Sequence, residues 1–485
     1  MYSWILAVIP DTSEKAGNWT VDRTPTKRRL RRFQETASRS DGARTTCLLA
    51  TSIACMLSFN DDHIDTMGNW PERASTPYTA ATHLPWPIAA SGCAVNDPFQ
   101  VHATRKAAAS PFYTEEHEQF RAALRRWVNE EIEPHVTQWD EEGAFPRELY
   151  YKAAEIGLLQ LGFPNAYGGF NGDLFFKLIS FQELARAGSG GVVAGLMSHT
   201  IGAPPIVLGG TEELKARVLP EILSGAKISA LAITEPSGGS DVAALKTTAT
   251  RDGAHYIVSG SKAFITSGMR ADYITTAVRT GDAGRDGISM LLIDADSPGI
   301  TRTLLQKQGW WASDTAMIYF DRVQVPITNL LGNEHGGLHL ARSNFNIERI
   351  TLAASSVAFA RVCLEEAVAY AKERRSFGKF LIEHQVIRHR LVDMAMKINA
   401  AQSMLEGVAW QIEHEQHPVA AICMAKNMAT LTLEFCAREA AQTLGGAGYV
   451  RGSKVERISR EVRVNAVGGG AEEIMRELAA RQMGW

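Results

Sequence analysis

The spacing of apolar residues changes period twice along this chain, and that constrains its fold more than any other feature. Apolar residues recur at helical spacing in Arg121–Ile132, Leu149–Leu159, Phe175–Ala187 and Glu212–Leu223. The pattern then alternates residue by residue. Thr247–Arg251 and His255–Val258 flank Asp252-Gly253, a hairpin signal, and Tyr273–Val278, Ile288–Ile293, Ile300–Leu304 and Met317–Val325 follow as short strands. Past Asn333 the helical spacing returns and holds to the end, with breaks at the glycine-rich stretches 445–448 and 468–470. The expectation is an α+β protein with a helical domain over 111–227, a β-domain over 228–335 and a second helical domain over 336–485. Thr114, followed by Glu115 and Glu116, suits the start of the first helix, because its hydroxyl accepts a free N–H and the carboxylates face the positive end of the dipole.

Residues 1–110 differ in character. They combine the basic run Lys27–Arg32 with stretches rich in Ser, Thr and Pro, and they lack sustained periodicity. Asp11, Glu14, Asp22, Glu35 and Asp41 make the segment more acidic than organelle-targeting peptides usually are. The apolar patch Cys47–Leu57 is too short to span a membrane. A disordered or spurious extension is the expectation, with Met67 an alternative start.

With 45% hydrophobic residues the chain can bury a large core, and a net charge of −3 gives no electrostatic footprint for nucleic acid. The six cysteines are scattered without a CxxC pair, which reads as a reduced intracellular protein without zinc. No metal site is expected: His414 and His417 stand together, but without a third ligand. No apolar run approaches the roughly 18 residues of a membrane span.

The chemistry-bearing stretch is Leu231–Ala244, LAITEPSGGSDVAA. Its Ser-Gly-Gly-Ser loop lets backbone pass close to something flat or phosphorylated, because glycine carries no Cβ. Taken alone it is equally consistent with a tight surface turn. A dinucleotide fingerprint is missing: Gly446-Ala447-Gly448-Tyr449 lacks both the third glycine and a preceding strand, and there is no P-loop.

Two further stretches change the weighing. RRSFGKFLIEHQ occupies Arg374–Gln385, and QTLGGAGYVRGSKVERISREVRV occupies Gln442–Val464. All three resemble signatures of the acyl-CoA dehydrogenase family, in that family's order and spacing, and the likeness runs from near Pro111 to the end. It implies a helical domain, a barrel-like β-domain and a C-terminal four-helix bundle. It also implies FAD as cofactor, an acyl-CoA substrate, an electron-transfer flavoprotein as electron acceptor and a homotetramer. Neither nucleic acid nor membrane is an implied partner. The location would be cytoplasmic, or the mitochondrial matrix in a eukaryote.

Residue by residue, the resemblance places Leu231, Ile233, Thr234, Gly239, Ser240, Phe264 and Thr266 against the flavin, with Ala471 and Glu473. Ala471 departs from the threonine usual there. Arg374, Ser376, His384, Gln385, Gln442, Gly445 and Gly446 would contact the FAD of a neighbouring subunit. Ser240, Asn346, Arg349, Gly469 and Gly470 would face the substrate. Trp310-Trp311 stands where a basic residue is common.

Oxidation of a saturated acyl thioester needs a base for the α-proton, best supplied by a carboxylate whose pKa burial raises. Many family members carry it after the second signature, where this chain has Gly469. The alternative is Glu348, in Asn344–Arg349, the position that resembles long-chain and isovaleryl-CoA dehydrogenases. Gly469 leaves a notch for that side chain, and its N–H remains a donor for the thioester oxygen. The expected reaction is α,β-dehydrogenation of a fatty or branched acyl-CoA to a trans-2-enoyl-CoA. The rival readings are a flavoprotein on the same scaffold with a non-CoA substrate, or a binding or stress-response protein that dehydrogenates nothing.

Overall fold

The computed structural model describes residues 110–485. The expectation for the N-terminal extension therefore lies outside the described residues, save for Ser110.

The first helix, α1 (Glu115–Glu131), begins where its cap predicts. Thr114 Oγ1 accepts from the His117 N–H, and the Thr114 N–H donates to His117 Nδ1 at 3.0 Å. His117 Nε2 in turn lies 3.0 Å from Asp173, which caps α4 (Leu174–Ala185), so one side chain ties two helix starts together. Between them lie α2 (Val136–Glu142) and α3 (Glu148–Glu155). Three short pieces follow, α5 (Gly190–Leu196), α6 (His199–Gly202) and α7 (Pro204–Gly209), and then α8 (Glu212–Leu223). Sequence periodicity missed α2 and α5–α7, because each is two turns or shorter and the last three are interrupted by Gly or Pro.

The middle part is one continuous sheet. Its strands are β1 (Ser229–Ala232), β2 (Thr248–Asp252), β3 (His255–Thr266), β4 (Tyr273–Arg279), β5 (Ile288–Asp294), β6 (Ile300–Leu304), β7 (Thr315–Pro326) and β8 (Leu330–Leu331). The order is β6-β7-β3-β2-β4-β5-β8, with β1 parallel to β4. Two antiparallel halves meet at a single parallel pair, Thr248 opposite Arg279. Both halves send Ala232, Val258, Ile274, Leu291, Ile318 and Val323 into a shared core. The opposite face of β4 and β5, with Tyr273, Ala277, Met290 and Leu292, packs on Leu219 and Ile222 of α8. Strand β4 is therefore buried on both faces. β3 runs well beyond the expected Val258, since register shifts after Val258 and Lys262 break the two-residue alternation. β1 is too short to show a period of its own.

The C-terminal part opens with the long α9 (Gly337–Glu373). A two-stranded ribbon, β9 (Arg375–Ser376) and β10 (Lys379–Phe380), turns the chain into α10 (Gln385–Glu413). Then come α11 (Val419–Leu444), α12 (Lys454–Val467) and α13 (Glu472–Gln482). Helix directions alternate, so the C-terminal end of α11 returns beside the start of α10, where Arg390 Nε meets Glu439 at 2.7 Å. By length and composition the stretch Val419–Gly448 is apolar enough to cross a membrane, contrary to the reading that no run approaches that length. Its Ile422, Ala425, Ala429, Leu433, Cys436 and Ala440 are instead buried in the core that α11 shares with α9 and α10.

Candidate active site

The third turn of α9 carries the site. Asn344 anchors that turn to the first domain by donating to the Ile201 carbonyl at 2.9 Å. One turn later comes Glu348, partly buried, with no hydrogen-bond donor to its carboxylate among the described residues. Burial pushes its carboxyl up to about 7, against the opposing pull of the Arg349 and Lys426 cations. That is the electrostatic signature of a base poised near neutral pH.

Opposite Glu348 runs the turn between α12 and α13, residues 468–471. Gly469 has φ +66, a left-handed conformation that side chains disfavour. A Cβ there would lie 2.9 Å from Leu352 Cδ1 and 3.9 Å from Glu348 Oε1. Any larger side chain would enter the space that the Glu348 carboxylate uses. The notch read from the sequence is thus present, and the glycine is required by both backbone and neighbours. No described residue accepts a hydrogen bond from the Gly469 N–H.

Two cations hold this turn. Arg349 is buried, and its Nε donates to the Gly469 carbonyl at 3.0 Å while Nη1 donates to Asn346 Oδ1 at 3.0 Å. Its guanidinium thereby fixes the Gly469 backbone. The same guanidinium engages the Asn346 oxygen. Lys426 of α11, fully buried, donates to the carbonyls of Ala466 at 2.8 Å and Gly470 at 2.9 Å. Periodicity gave no hint of Lys426; its one signal is a lysine set in the otherwise uncharged Ile422–Leu433.

The loop after β1 is held from beneath. Glu235 is buried and accepts from Lys262 Nζ at 2.8 Å and from the N–H groups of Lys246 and Thr247 at 2.6 and 2.9 Å. Burial pulls its carboxyl upward, but Lys262 and these donors hold it below the usual carboxylate value. Glu235 is therefore the loop's anchor. Lys262 Nζ also donates to the Ile233 carbonyl at 3.0 Å, and the Ala263 N–H donates to the Thr234 carbonyl at 2.8 Å. These bonds fix Ile233 and Thr234 against β3, while Leu231 pairs with Thr275 of β4 and Gly239 and Ser240 stay exposed.

Phe264 stands on the adjacent bulge of β3 with φ +60 and is 69% exposed. An aromatic ring forced outward by a disfavoured backbone costs stability and wants a partner. Thr266 lies two residues on, and its hydroxyl has no partner among the described residues. An outward ring, a free hydroxyl and an open glycine loop fit a planar phosphorylated cofactor such as FAD. Ala471 and the exposed Glu473 lie at the start of α13, past the 468–471 turn.

The remaining flavin candidates are elsewhere. Arg374, Ser376, His384 and Gln385 lie at the α9–α10 turn, and Gln442, Gly445 and Gly446 lie at the end of α11. His384 Nε2 lies 3.4 Å from Ser376 Oγ. Around Gly445 and Gly446 there is open space, and nearby Phe377 and Tyr449 are 97% and 91% exposed. At about 1.5 Å per residue, Arg374 is roughly 39 Å along α9 from Glu348. One chain therefore does not bring the two groups together. His414 stacks on Trp410 at 4.0 Å, and no cluster of three metal-ligating side chains occurs among the described residues.

Three family profiles match in succession: the acyl-CoA dehydrogenase N-terminal domain over residues 114–226, the middle domain over 230–323 and the C-terminal domain over 335–484. An acyl-CoA dehydrogenase of Alternaria alternata is 38% identical over 396 residues, covering 76% of this chain and 92% of the relative. The mitochondrial long-chain specific acyl-CoA dehydrogenase of Sus scrofa is 32% identical over 375 residues, covering 76% and 87%. Among solved structures, a probable acyl-CoA dehydrogenase from Mycobacterium abscessus superposes with a TM-score of 0.76 at 40% identity, covering 77% of this chain and all of the other.

Proposed function

We propose, from the premise that this chain belongs to the acyl-CoA dehydrogenase family, that it converts a fatty or branched acyl-CoA to the trans-2-enoyl-CoA with Glu348 as base. Members of that family are FAD flavoproteins, and the chain is an oxidoreductase acting on acyl-CoA. The single observation that carries the finer reading is the pairing of Glu348 with the notch at Gly469.

In this reading the Glu348 carboxylate removes the α-proton and ends protonated, which suits a carboxyl whose value lies near 7. The Gly469 N–H, held by Arg349 and Lys426 on the carbonyls around it, donates to the thioester oxygen and stabilises the negative charge that develops there. The chemistry that FAD supplies when bound is acceptance of the β-hydrogen as hydride. The residues that would hold it are the Leu231–Thr234 backbone, the Gly239–Ser240 loop, Phe264, Thr266 and the start of α13. Electrons would leave to an electron-transfer flavoprotein.

The second group, from Arg374 to Gly446, completes the site of a neighbouring copy, which the roughly 39 Å along α9 supports. A homotetramer follows the family's habit.

Anaerobic titration of the purified holoprotein with acyl-CoAs of increasing length tests the reading. Bleaching of the flavin band by one chain-length class is the expected result. A bound flavin that no acyl-CoA reduces overturns it.

A further inference from the structure

We propose that Lys426 is a positioning residue for this site: its ammonium clamps the turn that contains Gly469 and sets the charge balance in which Glu348 works. The proposal rests on the reading of Glu348 as the base and deepens it.

The geometry is specific. A lysine with no exposed surface is costly unless its ammonium is fully engaged. Here Nζ spans the turn, donating to Ala466 on its near side and Gly470 on its far side. The neighbouring residue, Asn427, donates from Nδ2 to the Glu472 carbonyl at 3.0 Å, so two successive residues of α11 grip the same piece of backbone. Arg349 takes the intervening carbonyl of Gly469 from the side of α9. With the carbonyls of Ala466, Gly469 and Gly470 all fixed, the turn has one orientation, and the Gly469 N–H is left to face the substrate. An amide on α11, with two N–H donors, would meet the hydrogen-bonding need. An ammonium adds charge.

That charge acts on Glu348. The charged and titratable groups around the base are Arg349 on its own helix, Lys426 and Cys423 on α11, and Glu472 beside Lys426 at the start of α13. The turn itself contributes only backbone. Burial lowers Lys426 to about 8, with Glu472 and Glu348 opposing that fall. Arg349 is committed to the Gly469 carbonyl, so Lys426 is the cation whose removal changes the field at Glu348 from the far side of the turn. Without it, the base should protonate at a higher pH.

Three variants separate clamp from charge: Lys426→Arg keeps the charge, Lys426→Gln keeps hydrogen-bond donors without it, and Lys426→Met keeps neither. For each holoprotein, the pH profile of flavin reduction by acyl-CoA is read beside an infrared difference titration of the protonated carboxyl, assigned by subtracting Glu348→Gln. The expected result is an acid limb, and a carboxyl titration, displaced upward by about one pH unit in Lys426→Gln and Lys426→Met. Lys426→Arg should stay near the original position. Lys426→Met should also lose about tenfold in kcat with little change in KM. An unmoved titration in Lys426→Gln overturns the proposal, and that variant decides the matter if Lys426→Met does not fold. If the original protein is not reduced by acyl-CoA at all, the dehydrogenase reading fails, while the infrared titration still tests Lys426.

Discussion

Glu348 Oε1 lies 3.9 Å from the point where a Cβ on Gly469 would stand, so one carboxylate and one missing side chain share a single notch. The relationship explains why this chain has no carboxylate at position 469. The space is already taken from the α9 side.

Gly469→Ala should therefore injure both fold and chemistry. The new methyl meets Leu352 Cδ1 at 2.9 Å, and the residue must hold φ +66. The backbone cost alone is about 1 kcal/mol. The expected outcome is a melting temperature lower by several degrees and a reduced kcat with flavin still bound; adding Leu352→Ala should recover part of the stability. Differential scanning calorimetry and steady-state kinetics check both.

Glu348 also makes stability depend on pH. Its folded-state value of about 7 lies above the ordinary carboxylate value of 4.5, so the folded state binds the proton more tightly than the unfolded chain does. Stability is then greatest below the unfolded value and falls as pH rises from there through the folded value. Glu348→Gln should remove the loss, stabilising the protein at pH 8 by an order of 1–3 kcal/mol and little at pH 4.5. Chemical denaturation at the two pH values measures the difference.

Lys262 and Glu235 form a buried pair beneath the cofactor loop. Lys262→Met would strand a buried carboxylate, at a cost of about 3–5 kcal/mol, whereas Lys262→Met with Glu235→Leu removes both charges and should cost less. Because Lys262 also holds the Ile233 carbonyl, both variants should lose flavin content. Melting temperature and the flavin-to-protein absorbance ratio report the two effects.

If sites are shared between copies, two inactive variants should complement each other. Glu348→Gln lacks the base, and Arg374→Ala lacks the group it lends to a neighbour. A random mixture of the two chains should regain about a quarter of the original activity, since half the pairs are mixed and each of those has one intact site. Activity after co-expression measures it. No recovery would argue that Arg374 serves its own chain.

The sequence was most informative where one element obeys one rule. Thr114 starts α1 and Asp252-Gly253 turns the β2–β3 hairpin because local chemistry decides both. The pairing of Glu348 with the notch at Gly469 was legible as a paired change, a glutamate at 348 with a glycine at 469. Contacts between distant segments were not. Glu235 sits in a loop that reads as ligand-facing, yet it points inward to Lys262, twenty-seven residues away. Lys426 reads as one charge on a helix, and only the return of the 468–471 turn against α11 gives it a task. The continuation of β3 to Thr266 was hidden by the bulges that turn Phe264 outward, the same irregularity that exposes the ring.

The most direct test of the central claim is anaerobic reduction of Glu348→Gln by the acyl-CoA that best reduces the original protein. The expected result is a yellow protein that binds FAD and acyl-CoA normally but whose flavin band does not bleach. Bleaching at a rate close to that of the original protein would contradict it and place the base elsewhere.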